Sequence, residues 1–352
     1  MPSFTYDTPL APPPRGVGPA GPFPRAKLTH SLDRRWLHYA FLSRDGNHSL
    51  IANAAWLGPP EDASDVGERF TTILLLHERN GAWSSSQFNA DISTPAWSSF
   101  CLPHGYDEPG LLHIGARSGQ PAVDLVLERS SRPCTSQCAF FGGHHHLRWQ
   151  SETGIRAGGK WRLGNKNLVI DAIGYHERVR GRWGWPALGE WVFGFANDLT
   201  GDPKRPPAWA GVFTFIHPVD DAKDTTASFM LWRDGRMCRH FPRRDTSFAV
   251  QGMLERDAVT LSPPLAGLLG VRPMAPIPKR LAISARLGAD WAILDFESEA
   301  AARVVIPSET SINGFSVHEV VGPCLLAGSV SGMRFEIETR GIVEFSGGAG
   351  GD

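Results

Sequence analysis

Leu168 to Asp198, LVIDAIGYHERVRGRWGWPALGEWVFGFAND, is the stretch on which the reading of this chain turns. Leu168 to Gly174 reads as a strand, and Trp191 to Ala196 reads as the next one. Between them lie Tyr175, His176 and Glu177, then Arg178, Arg180 and Arg182, then Trp183 and Trp185 beside Gly184 and Pro186. His176 and Glu177 are proton carriers, and the tryptophans are large π faces. Side chains of adjacent strand residues point to opposite faces, so His176 and Glu177 share a cavity only if a bulge intervenes.

The same habit continues on both sides. Trp36 to Ser43 and His48 to Trp56 flank Arg44-Asp45-Gly46-Asn47, and Asp-Gly between β-rich runs is a strong hairpin signal. Phe70 to Glu78 and Trp83 to Ala90 flank Asn80-Gly81. Leu111 to Arg117 pairs with Ala122 to Arg129. Leu147 to Gln150 and Gly158 to Leu163 precede the opening stretch. After it come Trp209 to Ile216, Ala227 to Arg233, the Asp234-Gly235 turn, Arg236 to His240, Leu281 to Arg286, Trp291 to Phe296, Arg303 to Ile306, Phe315 to Val321 and Met333 to Phe345. No segment carries apolar residues at helical spacing with proper caps, and Pro264 to Val271 is at most a short helix or turn. The expectation is an all-β chain of two tandem antiparallel barrels. A Pro/Gly-rich extended arm covers residues 1–27, the first barrel 28–172, the second 173–346 and a flexible tail 347–352. No internal sequence repeat is evident, so two barrels follow from strand count and length.

Composition narrows the function. A net charge of −1 over 352 residues argues against a nucleic-acid binder, which needs a basic excess. The 12 tryptophans and 19 phenylalanines exceed what packing needs and suit a site for an apolar ligand. The N-terminal segment lacks a cationic head before an apolar run, and no stretch approaches the length of a membrane span. With five cysteines and no signal peptide expected, the reading is reduced thiols in a cytoplasmic protein. There is no nucleophile elbow, P-loop, dinucleotide fingerprint or zincin helix.

Two motifs could ligate metal. Cys134 and Cys138 are four apart but lack a second pair, and His144 and His146 would share a strand face but lack a visible third ligand. Buried or loop residues account for both, and neither a metal nor another cofactor is expected.

Gly174-Tyr175-His176-Glu177 followed by Trp183-Gly184 resembles the G-Y-H-D motif of the lipocalin-like carotenoid hydratases, of the related AttH-type proteins and of the decalin-forming Diels–Alderases. Leu32 to Tyr39 resembles the W-x-Y strand that opens their first barrel, and Glu338 to Phe345 their closing strand. The resemblance spans about residues 30–346 and implies two lipocalin-like barrels with the substrate between or inside them. Glu177 stands where that family has Asp, and the following Asn is replaced within Arg178-Val179-Arg180.

The chemistry this implies is proton transfer to a large apolar polyene in a dry pocket, ending in hydration or ring closure. Glu177 and His176 are the expected catalytic pair. Trp36, His38, Tyr175, Trp183, Trp185 and Trp191 are expected to shape the pocket, with His318, beside Glu319, closing it from the second barrel. The bland alternatives are that Glu177 pairs with Arg178, Arg180 or Arg182, that Trp36 plugs a barrel, and that Trp183 and Trp185 pack domain on domain. A pericyclic cyclase and a non-catalytic lipophile carrier are the other functional readings. The partner is a hydrophobic small molecule in each, with peripheral membrane contact as one access route.

Overall fold

The structure, a computed structural model, describes residues 28–59, 69–91, 100–101, 110–114, 121–141, 145–163, 166–184, 188–218, 225–262, 277–306 and 315–347. The N-terminal arm, the tail after 347, the segment 264–271, His144 and Trp185 lie outside them. No helix among the described residues is long and apolar enough to cross a membrane.

Two large sheets make up the fold. The first holds β1 (Asp33–Ser43), β2 (His48–Leu57), β3 (Arg69–Glu78), β4 (Trp83–Asp91), β5 (Phe100–Cys101), β6 (Gly110–Ile114), β7 (Ala122–Glu128), β8 (Cys134–Phe141), β9 (His145–Leu163) and β10 (Lys166–Arg182). The second holds β11 (Glu190–Asn197), β12 (Trp209–His217), β13 (Thr226–Arg233), β14 (Arg236–Pro242), β15 (Thr246–Met253), β16 (Val259–Ser262), β17 (Pro278–Leu287), β18 (Asp290–Glu297), β19 (Ala300–Ile306), β20 (Phe315–Val330) and β21 (Met333–Gly347). The strand orders are β4-β3-β2-β1-β10-β9-β7-β6-β5 and β14-β13-β12-β11-β21-β20-β18-β17-β15. These are the same path. Each sheet starts with a four-strand meander, and its first strand pairs antiparallel with its last, which curls the sheet on itself. The structure therefore contains an architectural repeat that the sequence reading does not show. The sheets also divide at residues 183–189 rather than at 172/173, because β10 runs on through Arg182 as the central strand of the first sheet.

The hairpins form where turn chemistry permits them. Asp234 and Gly235 both have positive φ, 49° and 74°, and join β13 to β14 in a two-residue turn. Gly46, at φ 70°, closes the first hairpin. Between the outer strands β4 and β5, or β14 and β15, no pairing is found among the described residues, so each unit is a curled sheet wrapped on a core.

Three cores result from the period-two alternation of these strands. Tyr39, Phe41, Leu74, Leu125 and Trp161 fill the inside of the first sheet. Phe213, Phe229, Leu281, Phe296 and Val343 fill the second. The third core, with Trp36, Trp149, Trp183, Phe193, Val212 and Met230, lies in the seam between the sheets. On β1 the even residues Trp36, Ala40 and Leu42 face the seam, and the odd Leu37, Tyr39 and Phe41 face inward. Both faces of the strand are thus buried. Polar ties cross the seam too: Gln137 Nε2 donates to Thr214 Oγ1 at 2.9 Å, and Asn197 Nδ2 to Gly174 O at 3.3 Å.

One irregularity sets up the site. On β9, Gly154 has φ 72° and no partner on β10, where Thr153 faces Tyr175 and Ile155 faces Gly174. This bulge reverses the alternation. Before it, Leu147 and Trp149 face the seam; after it, Ile155, Ala157 and Trp161 face the first core.

Gly174 shows how tightly β1 and β10 approach. A Cβ there would lie 2.0 Å from Ala40 O and 2.5 Å from Phe41 Cδ1, whereas one on Gly158 would meet nothing within 4 Å. Gly174→Ala should destabilise the protein by about 1–3 kcal/mol and Gly158→Ala should be neutral or mildly stabilising, as measured by urea unfolding.

Candidate functional site

Glu177 lies near the middle of β10, opposite His38 on β1 and Ser151 on β9. All three are odd or even in the sense that faces the seam. The carboxyl is 3 % exposed and receives three hydrogen bonds. Trp36 Nε1 donates to Oε1 at 2.8 Å, Trp149 Nε1 to Oε2 at 2.7 Å, and the Tyr175 hydroxyl to Oε2 at 2.9 Å. Tyr175 OH is also 2.8 Å from Ser151 Oγ, which donates to Ser136 Oγ at 2.9 Å. Aromatic rings enclose the group. Trp183 meets Trp36 edge to face at 5.3 Å, Trp36 meets Trp149 at 6.1 Å, and Phe193 and Phe195 lie 4.7 and 5.3 Å from Tyr175.

Burial drives the Glu177 carboxyl up to about 8, and the nearby Glu344 adds to the rise, while its three donors oppose it. The shift favours the protonated acid over the carboxylate around neutral pH. Oε1 accepts only one of the three bonds, which leaves it the oxygen with room for the acid proton. The same donors would hold the carboxylate once the proton leaves.

The second sheet repeats this arrangement. Trp191 on β11 donates its indole N–H to Glu344 on β21. Trp36 stands opposite Val179, two residues beyond Glu177, and Trp191 pairs in line with Ser346, two beyond Glu344. Gly341-Ile342-Val343-Glu344 thus corresponds to Gly174-Tyr175-His176-Glu177. The partner residues differ. Across from Glu344 stand Phe193 and Glu319, in the places that His38 and Ser151 hold across from Glu177. Glu319 and Glu344 hydrogen-bond each other, and burial raises both carboxyls. His38 Nδ1 lies 4.0 Å from Glu319 Oε1.

The structure brings Trp36, His38, Tyr175, Glu177, Trp183 and Trp191 into the seam together. His176 is not with them. It points into the first sheet, stacks on Tyr39 at 4.1 Å, and receives Arg178 Nε–H on Nε2 at 3.1 Å. Its proton is consequently on Nδ1, which donates to His38 O at 2.8 Å. Burial, then Arg178, holds its pKa well below the usual range. The bulge lies on β9, not β10, so alternation keeps His176 and Glu177 apart. His318 is likewise separated from Glu319; it faces the second core, with Nδ1 3.2 Å from Phe345 O. Arg178 serves His176 rather than Glu177. Of the histidine run, His145 and His146 open β9, and Cys134 is buried, its Sγ 3.4 Å from Met230 Sδ.

Trp149, Ser151 and Glu344 were missed as site residues. The Gly-x-x-Glu repeat could have pointed to Glu344. Trp149 and Ser151 required knowledge of the bulge.

An open cleft of about 620 Å³ also lies on the seam, touching Arg44 to Gly46, Thr200, Cys324 and Arg340. It is at the other end of β1. Six residues separate Arg44 from His38, or about 20 Å of strand, and its charged lining does not suit an apolar guest.

The described residues thus form an all-β chain of two curled sheets, with an acid-bearing polar cluster closed between them. No family model matches this chain, and no curated protein is similar to it in sequence. Solved structures do share the fold. An AttH-type protein from Nitrosomonas europaea is 12 % identical over 90 % of this chain and 92 % of its own, with TM-score 0.59. CghA solved with Sch210972 is 10 % identical over 92 % and 90 %, with TM-score 0.56. Kievitone hydratase from Nectria haematococca is 12 % identical over 90 % of each chain, with TM-score 0.54. The likeness expected from Gly174–Glu177 and the terminal strands is found at the level of the fold.

Glu177 carries a sign that can be measured. Its pKa is higher folded than unfolded, so between about pH 4.5 and 8 the folded state binds more protons. Stability then falls as pH rises through that window. Glu177→Gln should make the fall shallower, read as the change in urea midpoint between pH 5 and 8.5.

Proposed function

We propose that the protein hydrates or cyclises an apolar, alkene-bearing small molecule held in the seam, with Glu177 as proton donor. One observation carries this reading. A neutral carboxylic acid sits in a dry aromatic enclosure, and three donors stand ready to stabilise its conjugate base. Glu177 transfers its proton to an alkene carbon. The cation that results is stabilised by the faces of Trp36, Trp149 and Trp183, by about 0.5–2 kcal/mol each. Capture by water gives an alcohol and returns a proton to the Glu177 carboxylate. Capture by an internal hydroxyl, or by an internal alkene followed by loss of a proton from a neighbouring carbon, closes a ring and returns the proton to the same carboxylate. Tyr175 positions the acid through its bond to Oε2.

The fold shared with kievitone hydratase supports the hydratase arm. A polyene of isoprenoid or polyketide origin matches the apolar, aromatic character of the residues around Glu177. Buried, unbridged Cys134 and Cys324 suit a reducing compartment such as the cytoplasm, with the substrate loaded from solution or from a membrane surface. His38 and Trp191 extend the wall toward the second sheet.

The test begins with mass spectrometry of apolar molecules extracted from the purified protein, followed by incubation of that extract with fresh enzyme. Wild type should add the mass of one water or produce an isomer of altered retention. Glu177→Gln should lose at least about 100-fold of the rate while keeping ligand uptake and melting. Isomer formation that survives Glu177→Gln would instead mean pericyclic folding of the substrate. Uptake with no product would mean a carrier.

A further inference from the structure

The Glu319–Glu344 pair is not used by the reaction above, and its burial is unusual. The two glutamates stand directly opposite each other on β20 and β21, the placement in which like charges oppose each other most. They are 3 % and 6 % exposed. Among the described residues, no lysine or arginine makes an ion pair with either of them. His38 reaches the pair from the other sheet. Its side chain is 1 % exposed, and neither ring nitrogen has a hydrogen-bond partner; Glu319 Oε2 also lacks one. A buried imidazole with both nitrogens unsatisfied is costly unless something binds it.

We propose that His38, Glu319 and Glu344 form a binding site for one divalent transition-metal ion of the zinc type. One ligand atom from each residue lies within 4.8 Å of the other two. Three such atoms leave a central point no more than about 2.8 Å from each, and rotamer adjustments of well under 1 Å bring them to the 2.0–2.2 Å of zinc–nitrogen and zinc–carboxylate bonds. The unpartnered atoms are shut off from solvent, as ligands closing on an ion require. Charge agrees, since a dication cancels two carboxylates and leaves the seam neutral. One imidazole and two carboxylates make a borderline donor set, suited to zinc, iron(II) or manganese(II) and unlike an all-oxygen calcium site. Trp191 supplies the outer shell by donating to Glu344 Oε1, which orients that carboxylate. The site also crosses the seam, with one ligand from β1 of the first sheet and two from the second, so an ion there would pin the sheets together.

The inference does not depend on the acid role of Glu177. Untagged protein from media supplemented separately with zinc, manganese and iron(II) would be analysed for metal. Chelator-treated protein would then be titrated with zinc chloride by calorimetry and thermal melting. One ion per chain and a saturable rise in melting temperature are expected. His38→Ala and the isosteric Glu344→Gln should each weaken zinc binding by more than about tenfold, since even outer-shell changes cost that much. Glu177→Gln and His318→Ala should leave it intact. Less than about one-tenth of an ion per chain in every medium, with no saturable binding, would overturn the site. So would binding that persists in both triad variants, which would place the ion elsewhere, for example at His144–His146. If the Glu319→Gln/Glu344→Gln double variant melts like metal-free wild type and neither binds zinc, the pair holds protons only and the proposal fails.

Discussion

A hydrogen bond from an indole on the first strand to a carboxyl on the last strand recurs in both halves of this protein. It needs a sheet whose first and last strands are neighbours, and that pairing curls each sheet. The bond also decides what the seam is made of. A carboxyl can be held in an apolar layer only if strong donors meet it, and an indole N–H is a donor whose remaining surface is hydrocarbon. Trp36 and Trp191 satisfy both demands, solvating Glu177 and Glu344 while filling the core between the sheets.

Within that shared frame the two halves differ in what stands beside the acid. Glu177 has Trp149 and Tyr175 as further donors and Ser151 as neighbour, which makes a single carboxyl poised between acid and base forms. Glu344 has Glu319 as its neighbour, which makes a pair of carboxyls that must share protons or a cation. His38, from the first half, faces the second half's pair. The seam thus holds two adjoining polar centres of different character within one apolar layer, about 20 Å of strand away from the charged cleft.

Much of the fold was legible. Turn pairs such as Asp45-Gly46 and Asp234-Gly235 punctuate runs of strand-forming residues, and positive φ at Gly46, Asp234 and Gly235 is a local property that sequence reports directly. The division at 172/173 was misplaced because strand length is not local: β10 continues through Arg182 only because β1 and β9 are there to pair with it. The role of His176 failed for a related reason. Tyr-His-Glu reads as one cluster along the chain, but on an unbroken strand its members alternate between the seam and the first core.

What the amino-acid sequence determined alone is the class of structure and the stock of chemistry: short strands with tight turns, a surplus of tryptophan, and a Glu within a Gly-Tyr-His-Glu run. Which of those groups meet was decided by tertiary structure. The bulge at Gly154 turns Trp149 toward Glu177, and the approach of the second sheet brings Glu319 and Glu344 to His38. Both events join residues more than twenty positions apart, in contacts set by strand pairing and sheet packing, and no window of sequence contains the information for either.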